Sequence, residues 1–340
     1  MSSVFNNQSN DSSFKDILDE LKWRGLVAIS TDEDELRKAL TTGSITYYCG
    51  FDPTAASLHL GNLVQLLTMR RLQLAGHKPL ALIGGSTGLV GDPRPTAERT
   101  LNTRETVEEW VEKLGKQAAR FLSFENENAA RMVNNLDWTA PISALTFLRD
   151  IGKHFSVNQM LSKDSVSARL EGGGISYTEF SYQVLQALDF LELYKRHNCT
   201  LQMGGSDQWG NIVMGIDLGR RMGTGQLYGL TSPLLTTASG AKMGKTASGA
   251  VWLNSDMLPV YDYWQYWRNT EDRDVGRFLK LFTELPLAEI TRLERLADAR
   301  DDQVGDEISA HEDACLAPAP RRSKRCGMRR FLSMRALEEL

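Results

Sequence analysis

The chain has 340 residues, 41% hydrophobic and 24% charged, with a formal net charge of −4. That composition is expected of a soluble globular protein with room for one large domain or two smaller ones. No run of about 18 apolar residues exists, which excludes a membrane span. The four cysteines show neither CxxC spacing nor a His at ligand spacing, so no zinc site or disulfide framework is supported.

Residues 1–13 are rich in Ser and Asn and read as disordered. They lack the basic start and apolar core of a signal peptide, so a cytoplasmic protein is expected. Ser13-Phe14-Lys15-Asp16 resembles a capping box opening a helix that buries Ile17, Leu18 and Leu21, and a second helix fits Asp32 to Leu40. Ser44 to Cys49 is β-branched and aromatic, as a strand requires. From Leu63 to Leu74 apolar residues recur at helical spacing. The turn between them holds Gly50, Asp52, Pro53 and Ser57, the last a good helix cap. A strand end feeding a helix N-terminus is a ready anion site, because free backbone N–H groups and the helix dipole point at it. His59 falls in the first turn of that helix, and Gly61 offers bare backbone where a flat ring can lie close.

Pro79 to Ile83 reads as a buried strand running into the Gly-rich segment Gly84 to Pro93. Thr103 to Phe124 is a long amphipathic helix capped by Thr103, with Glu105, Glu108 and Glu109 near its positive end. Residues 130–176 read as mostly helical, broken by Pro141 and by Gly172-Gly173-Gly174. Thr178 to His197 is a clear helix, Cys199 to Met203 a strand ending at Gly204-Gly205-Ser206-Asp207-Gln208, and a further helix runs through Arg221. Leu230 to Thr236 is another strand, followed by the loop Ala238 to Gly249 and by helices from Met257 to about Ala310. Strands alternating with helices imply an α/β fold with a parallel sheet covered on both faces. In such sheets ligands bind beyond the carboxyl ends of the strands, so the three polar Gly-containing segments that follow strands should meet at one crevice.

No G-x-G-x-x-G follows a strand, which argues against a dinucleotide cofactor. Gly240-Ala241-Lys242-Met243-Gly244-Lys245-Thr246 ends like a phosphate-binding loop, but Ser239 stands where its first glycine should be, and no helix follows. Two lysines on a small-residue loop still suit a mobile clamp for polyphosphate. Standing alone, the segment reads better as a solvated basic loop.

Together with the opening stretch it reads differently. His59-Leu60-Gly61-Asn62 resembles the HxGH-type signature of class I aminoacyl-tRNA synthetases, and Lys242-Met243-Gly244-Lys245-Thr246 their KMSKS-type signature. Tyr48 to Thr54, Gly88 to Pro93, Thr178 to Gln186 and Gly204 to Asn211 narrow the resemblance to the bacterial tyrosyl-tRNA synthetase family, over about residues 13 to 310 and in the same order. The resemblance implies a Rossmann-like catalytic domain, tyrosine activation with ATP to give tyrosyl-adenylate and pyrophosphate, and transfer to tRNA(Tyr). It also implies a homodimer, Mg2+ as the counter-ion of ATP, no protein-bound metal and no membrane partner.

Residue by residue, Tyr48 and Asp189 are similar to the family's pair that hydrogen-bonds the substrate hydroxyl. The tyrosine enzymes of this family are themselves the usual illustration that such groups, left unpaired, reject phenylalanine. Asp189 lies between Leu188 and Phe190 on a very apolar helix. Asp92, Tyr182 and Gln186 match the acceptor cluster for the amino group, and Tyr182 and Gln186, four apart, share one helix face on any reading. Gln202 and Gln208 complete that pocket. The ATP side is implied to comprise Cys49 near the ribose, Gly50, Asp52, Asn62, Gly205 and Asp207, with Thr54 and His59 gripping the γ-phosphate. Lys242, Lys245 and Thr246 would close on the pyrophosphate. Arg99 matches a family arginine. Many relatives carry a lysine in the loop after Asp92-Pro93 that has no clear counterpart here, although Arg94 could substitute. Asn62 stands where the signature often has a second His, keeping a neutral donor.

The expected organisation is a disordered 1–13, a catalytic domain over 14–256 with a helical insertion at about 130–178, a helical domain over 257–310, and an atypical basic tail over 311–340. The family's C-terminal anticodon-arm-binding domain has no counterpart here. From Ala314 to Leu340 the net charge is +5, against −9 before it, and composition shifts abruptly to Arg, Pro and Cys. A shifted reading frame or damaged gene end explains this better than a basic RNA-binding tail. The rival readings are an enzyme that activates tyrosine but charges tRNA poorly, a non-catalytic RNA-binding homologue, a tryptophanyl enzyme, and another HxGH-type nucleotidyltransferase.

Overall fold

The computed structural model describes residues 9–94, 100–237, 240, 243, 245–246 and 249–298. Its centre is a six-stranded sheet. The strands are β1 (Ile29–Ser30), β2 (Thr46–Phe51), β3 (Lys78–Ile83), β4 (Arg131–Asn134), β5 (Cys199–Gly205) and β6 (Tyr228–Ser232), in the order β1-β6-β5-β2-β3-β4. Only the β1–β6 pair is antiparallel. From β2 the chain builds outward to β3 and β4, then returns to β5 and β6 on the other side. The order therefore reverses between β2 and β5, and at such a switch point the loops leaving two neighbouring strands diverge and open a crevice.

Side chains alternate across the sheet. Tyr47, Cys49 and Phe51 join a core shared with Leu201, Met203 and Leu230, whereas Tyr48 points to the opposite face, into a core with Leu80, Leu82, Phe190 and Leu193. The first face is covered by α1 (Ile17–Trp23), α2 (Glu33–Thr42) and α3 (Leu60–Leu74). After β3 come one turn of helix, α4 (Thr87–Val90), and then α5 (Arg104–Ala118), which Thr103 caps as expected. The second face is covered by α6 (Tyr177–His197), which packs on α7 (Trp209–Arg221). Ser176 caps the start of α6, and Asn198 ends it in the left-handed region at φ 52°. The last helices, α8 (Val260–Arg268), α9 (Asp272–Phe282) and α10 (Leu287–Asp298), pack an aromatic group around Trp267 into the same core as α3. No helix among the described residues is long and apolar enough to cross a membrane.

Three local expectations are corrected. The segment after residue 130 opens with β4, not a helix, and its half-exposed pattern at the sheet edge explains why no apolar run announced it. The cap of α3 is His59, not Ser57. Its Nδ1 accepts from the Gly61 N–H at 3.0 Å while Asn62 Oδ1 accepts from the His59 N–H at 3.0 Å, closing a capping box. The Ser57 hydroxyl instead accepts from the Asn254 N–H at 3.1 Å and from Gln117 Nε2 at 3.1 Å. The first helix is capped by Asp16, whose carboxylate accepts from the Asp19 N–H, so Ser13 is not its cap.

Candidate functional site

A cavity of about 350 Å³ lies at the carboxyl ends of β2, β5 and β6, where the strand order reverses. All three polar segments expected to converge do so: the turn after β2, the loop after β3 and the loop after β5 contribute to its wall. Apart from Arg94, which is exposed and not in its wall, every candidate residue whose side chain is described lines it. These are Tyr48, Cys49, Gly50, Asp52, Thr54, His59, Asn62, Asp92, Tyr182, Gln186, Asp189, Gln202, Gly205, Asp207 and Gln208. Arg99 and Lys242 lie outside the described residues, as do the side chains of Lys245 and Thr246. The backbone of the latter two pairs with Gly249 and Ala250. The tail after residue 310 also lies outside them.

The deep end is dry. Tyr48 and Asp189 are 1% and 2% exposed. Asp189 Oδ2 accepts from Asn135 Nδ2 at 3.0 Å and its Oδ1 from Trp138 Nε1 at 2.9 Å. Burial pushes the Asp189 carboxyl up to about 7, against the pull of those two donors. The Tyr48 phenol has no hydrogen-bond partner among the described residues. Its burial, followed by the nearby Asp189 charge, raises it well above the ordinary tyrosine range. A buried hydroxyl beside a buried carboxyl, both facing a cavity, is a costly arrangement unless a polar ligand group enters between them. Sequence reasoning missed Asn135 and Trp138. Asn135, fully buried, also accepts from the Ser86 N–H at 2.7 Å and donates to Thr87 Oγ1 at 3.0 Å, tying β4 to the loop after β3.

In the middle, Asp52 Oδ2 accepts from the Tyr182 hydroxyl at 2.6 Å and its Oδ1 from Thr87 Oγ1 at 2.7 Å. Donating to Asp52 leaves the Tyr182 oxygen lone pairs for an incoming donor. Asp52 fits only because residue 84 is glycine: a Cβ there would stand 2.1 Å from Asp52 Oδ1. A Cβ at Gly205 would lie 2.5 Å from Asp207 Oδ1, so a side chain there would have to push the exposed Asp207 carboxylate aside. The Cys49 thiol is pushed up to about 12 by burial and stays protonated.

The outer end is a chain of amides. Gln208 Nε2 donates to Asp92 Oδ2 at 2.9 Å, and Asn211 Nδ2 donates to Gln208 Oε1 at 3.0 Å and Gln186 Oε1 at 2.9 Å. His59 stands across the mouth at the N-terminus of α3. Because its Nδ1 accepts the Gly61 N–H, the neutral ring carries its proton on Nε2. That end of the site thus offers an imidazole N–H and the positive end of a 15-residue helix, both suited to an anion. The backbone just after Gly249–Ala250 is bound to this same segment. The Leu60 N–H donates to Val251 O and the Leu253 N–H to Leu58 O, each at 2.9 Å. Among the described residues no three His, Cys, Asp or Glu side chains gather where they could hold a metal ion.

Residues 40–318 match the family model described as tRNA synthetases class I (W and Y). The chain is 63% identical over 287 residues to the tyrosine–tRNA ligase of Streptomyces griseus, covering 84% of this chain and 68% of that protein. It is 62% identical over 289 residues to that of Leifsonia xyli, covering 85% and 65%. It thus spans about two thirds of these relatives' lengths. Among solved structures it resembles a C-terminally truncated mitochondrial tyrosyl-tRNA synthetase of Coccidioides posadasii. The TM-score is 0.74 at 30% identity, over 96% of this chain and 92% of that one.

Proposed function

This chain belongs to the class I tRNA synthetases of the W and Y group, and from that premise we propose that it is a tyrosine–tRNA ligase, which activates L-tyrosine with ATP and passes it to tRNA(Tyr). The observation that carries the choice of amino acid is the deep end of the cavity. Tyr48 and Asp189 present a hydroxyl and a carboxyl to a space that a phenol oxygen fills, and a ligand without that oxygen leaves both unpaired in a dry site. The indole of tryptophan has no hydroxyl to offer there.

The substrate's ammonium group sits against Asp92, Tyr182 and Gln186. Its carboxylate attacks the α-phosphorus of ATP, a P–O bond forms as the bond to pyrophosphate breaks, and no protein nucleophile takes part. Catalysis is positioning plus stabilisation of charge on the leaving phosphates. His59 Nε2–H and Thr54 donate to the γ-phosphate, the bare backbone at Gly50 and Gly205 admits the adenosine, Asp207 and Cys49 meet the ribose, and Asp52 and Asn62 hold the turn and helix start that present these groups. Lys242, Lys245, Thr246 and Arg99 complete the anion clamp, with Mg2+ entering as the counter-ion of ATP. The backbone tie between Leu58–Leu60 and Val251–Leu253 supports this, since it tethers the clamp loop to the phosphate end. The domain division at about residues 256 and 310 and a cytoplasmic location belong to the same proposal. So does a homodimer, supported by the exposure of Leu145 (80%), Leu148, Val157, Leu170 and Tyr177 (69%) within one segment.

The test is amino-acid-dependent ATP–pyrophosphate exchange. Exchange with tyrosine and none above background with tryptophan or phenylalanine is the expected result, and equal exchange with tryptophan would overturn the assignment.

A further inference from the structure

Lys163, at the position preceding the helix Asp164–Gly172, is absent from the cavity wall yet reaches the groups behind it. Its stem crosses Gly210, and its side chain is only 13% exposed. The ammonium donates to Asn211 Oδ1 at 2.7 Å and stands 3.5 Å from Asp92 Oδ1. Asn211 is fully buried, and its amide nitrogen serves both Gln186 and Gln208. Gln208 in turn donates to Asp92.

An amide can be reversed in place at little steric cost, so a chain of three amides has two possible directions. A lysine ammonium has donors and no acceptor. With Lys163 beneath it, Asn211 must present its oxygen downward and its nitrogen to the two glutamines. Gln208 must then present its nitrogen to Asp92. Reversed, the chain would set a glutamine oxygen against the Asp92 carboxylate and push it away.

We propose that Lys163 is a positioning residue that sets the hydrogen-bond direction of Asn211, Gln208 and Gln186, and so holds Asp92 as an acceptor for the substrate's ammonium group. This rests on the tyrosine-activating reading above. It assigns to the segment before α6 a part in amino-group recognition.

The test measures dissociation constants for three ligands on the wild-type chain and on Lys163→Met, Lys163→Gln and Lys163→Arg. The ligands are tyrosine, tyramine (ammonium without carboxylate) and 3-(4-hydroxyphenyl)propionate (carboxylate without ammonium). Loss of a charged donor in a buried chain is expected to weaken tyrosine and tyramine about tenfold in the Met and Gln variants. The propionate should stay within about twofold, and Arg, which still donates, should restore tight binding. Gln serves where Met does not fold, because its amide can both donate and accept and leaves the direction unset. Equal weakening of all three ligands, which general damage would give, or unchanged tyramine binding, which a role toward tRNA alone would give, overturns the inference. A wild-type chain that binds none of the three overturns the tyrosine reading itself, and this inference with it.

Discussion

At the deep end of the cavity Asp189, 2% exposed, is held by two neutral donors that do nothing else for the ligand. At the outer end Asp92, 19% exposed, belongs to a chain of amides anchored on a lysine. The first carboxyl is pushed up to about 7 by its burial. The second is nearer the mouth and partly open to water, which can reach part of its carboxylate. A polar group in a dry wall gains little from the right ligand but loses much with the wrong one, because nothing else can satisfy it. A polar group in a wet wall gains modestly from either. Identity should therefore be decided at the deep end, and orientation at the outer one.

The largest effect that would sharpen this contrast is at Asp189. Asp189→Ala leaves Asn135 Nδ2 and Trp138 Nε1 facing an empty dry pocket and removes the partner for the phenol. It should lower kcat/KM for tyrosine-dependent exchange by a factor on the order of 10³ or more and erase the preference over phenylalanine. Next is His59→Ala, which removes the N–H proposed to meet the phosphates. It should lower kcat by roughly 10²–10³, with the KM for tyrosine little changed, the signature of a group that acts on developing charge. Smaller again, Asp92→Asn should raise the KM for tyrosine by about 10- to 100-fold while leaving the preference over phenylalanine intact. If Asp92→Asn relaxed that preference as much as a deep-end substitution, the contrast between the two ends would be broken.

The two ends were not equally legible in the sequence. The outer end lies on segments with strong local signals: Gly84 to Pro93 after an apolar strand, Gly204 to Gln208 after another, and Tyr182 and Gln186 on one helix face. Tyr48 and Asp189 could also be found, the first on an aromatic strand and the second as a lone carboxyl in an apolar helix. What holds Asp189 could not. Asn135 and Trp138 are more than fifty residues from it in the chain, and they follow β4, a four-residue edge strand whose mixed polarity reads as nothing in particular. Lys163 was equally silent, because a lysine before a short helix looks like any solvated charge until Asn211 is placed beside it. Helix capping at His59 is hidden for a simpler reason: Ser57 has the better capping propensity, but its hydroxyl is already engaged by Asn254 and Gln117 from distant segments.

The last test concerns stability, and it isolates the deep end from the ligand altogether. In the folded chain the Asp189 carboxyl titrates at about 7, above its ordinary value of 3.8, chiefly because burial disfavours its charge. Between those two values the folded chain holds a proton that the unfolded chain has released. Folding stability contributed by this group is thus fully present below about pH 4 and is lost as pH rises toward 7. The slope approaches at most about 1.4 kcal/mol per pH unit for one proton. Denaturant unfolding of wild type and Asp189→Asn, compared at several values between pH 4 and 8, should show a stability difference that shifts in favour of the Asn variant as pH rises and then levels off. Parallel curves across that range would mean that the deep carboxyl is ionised throughout, and the two ends of the cavity would then differ in shape but not in electrostatics.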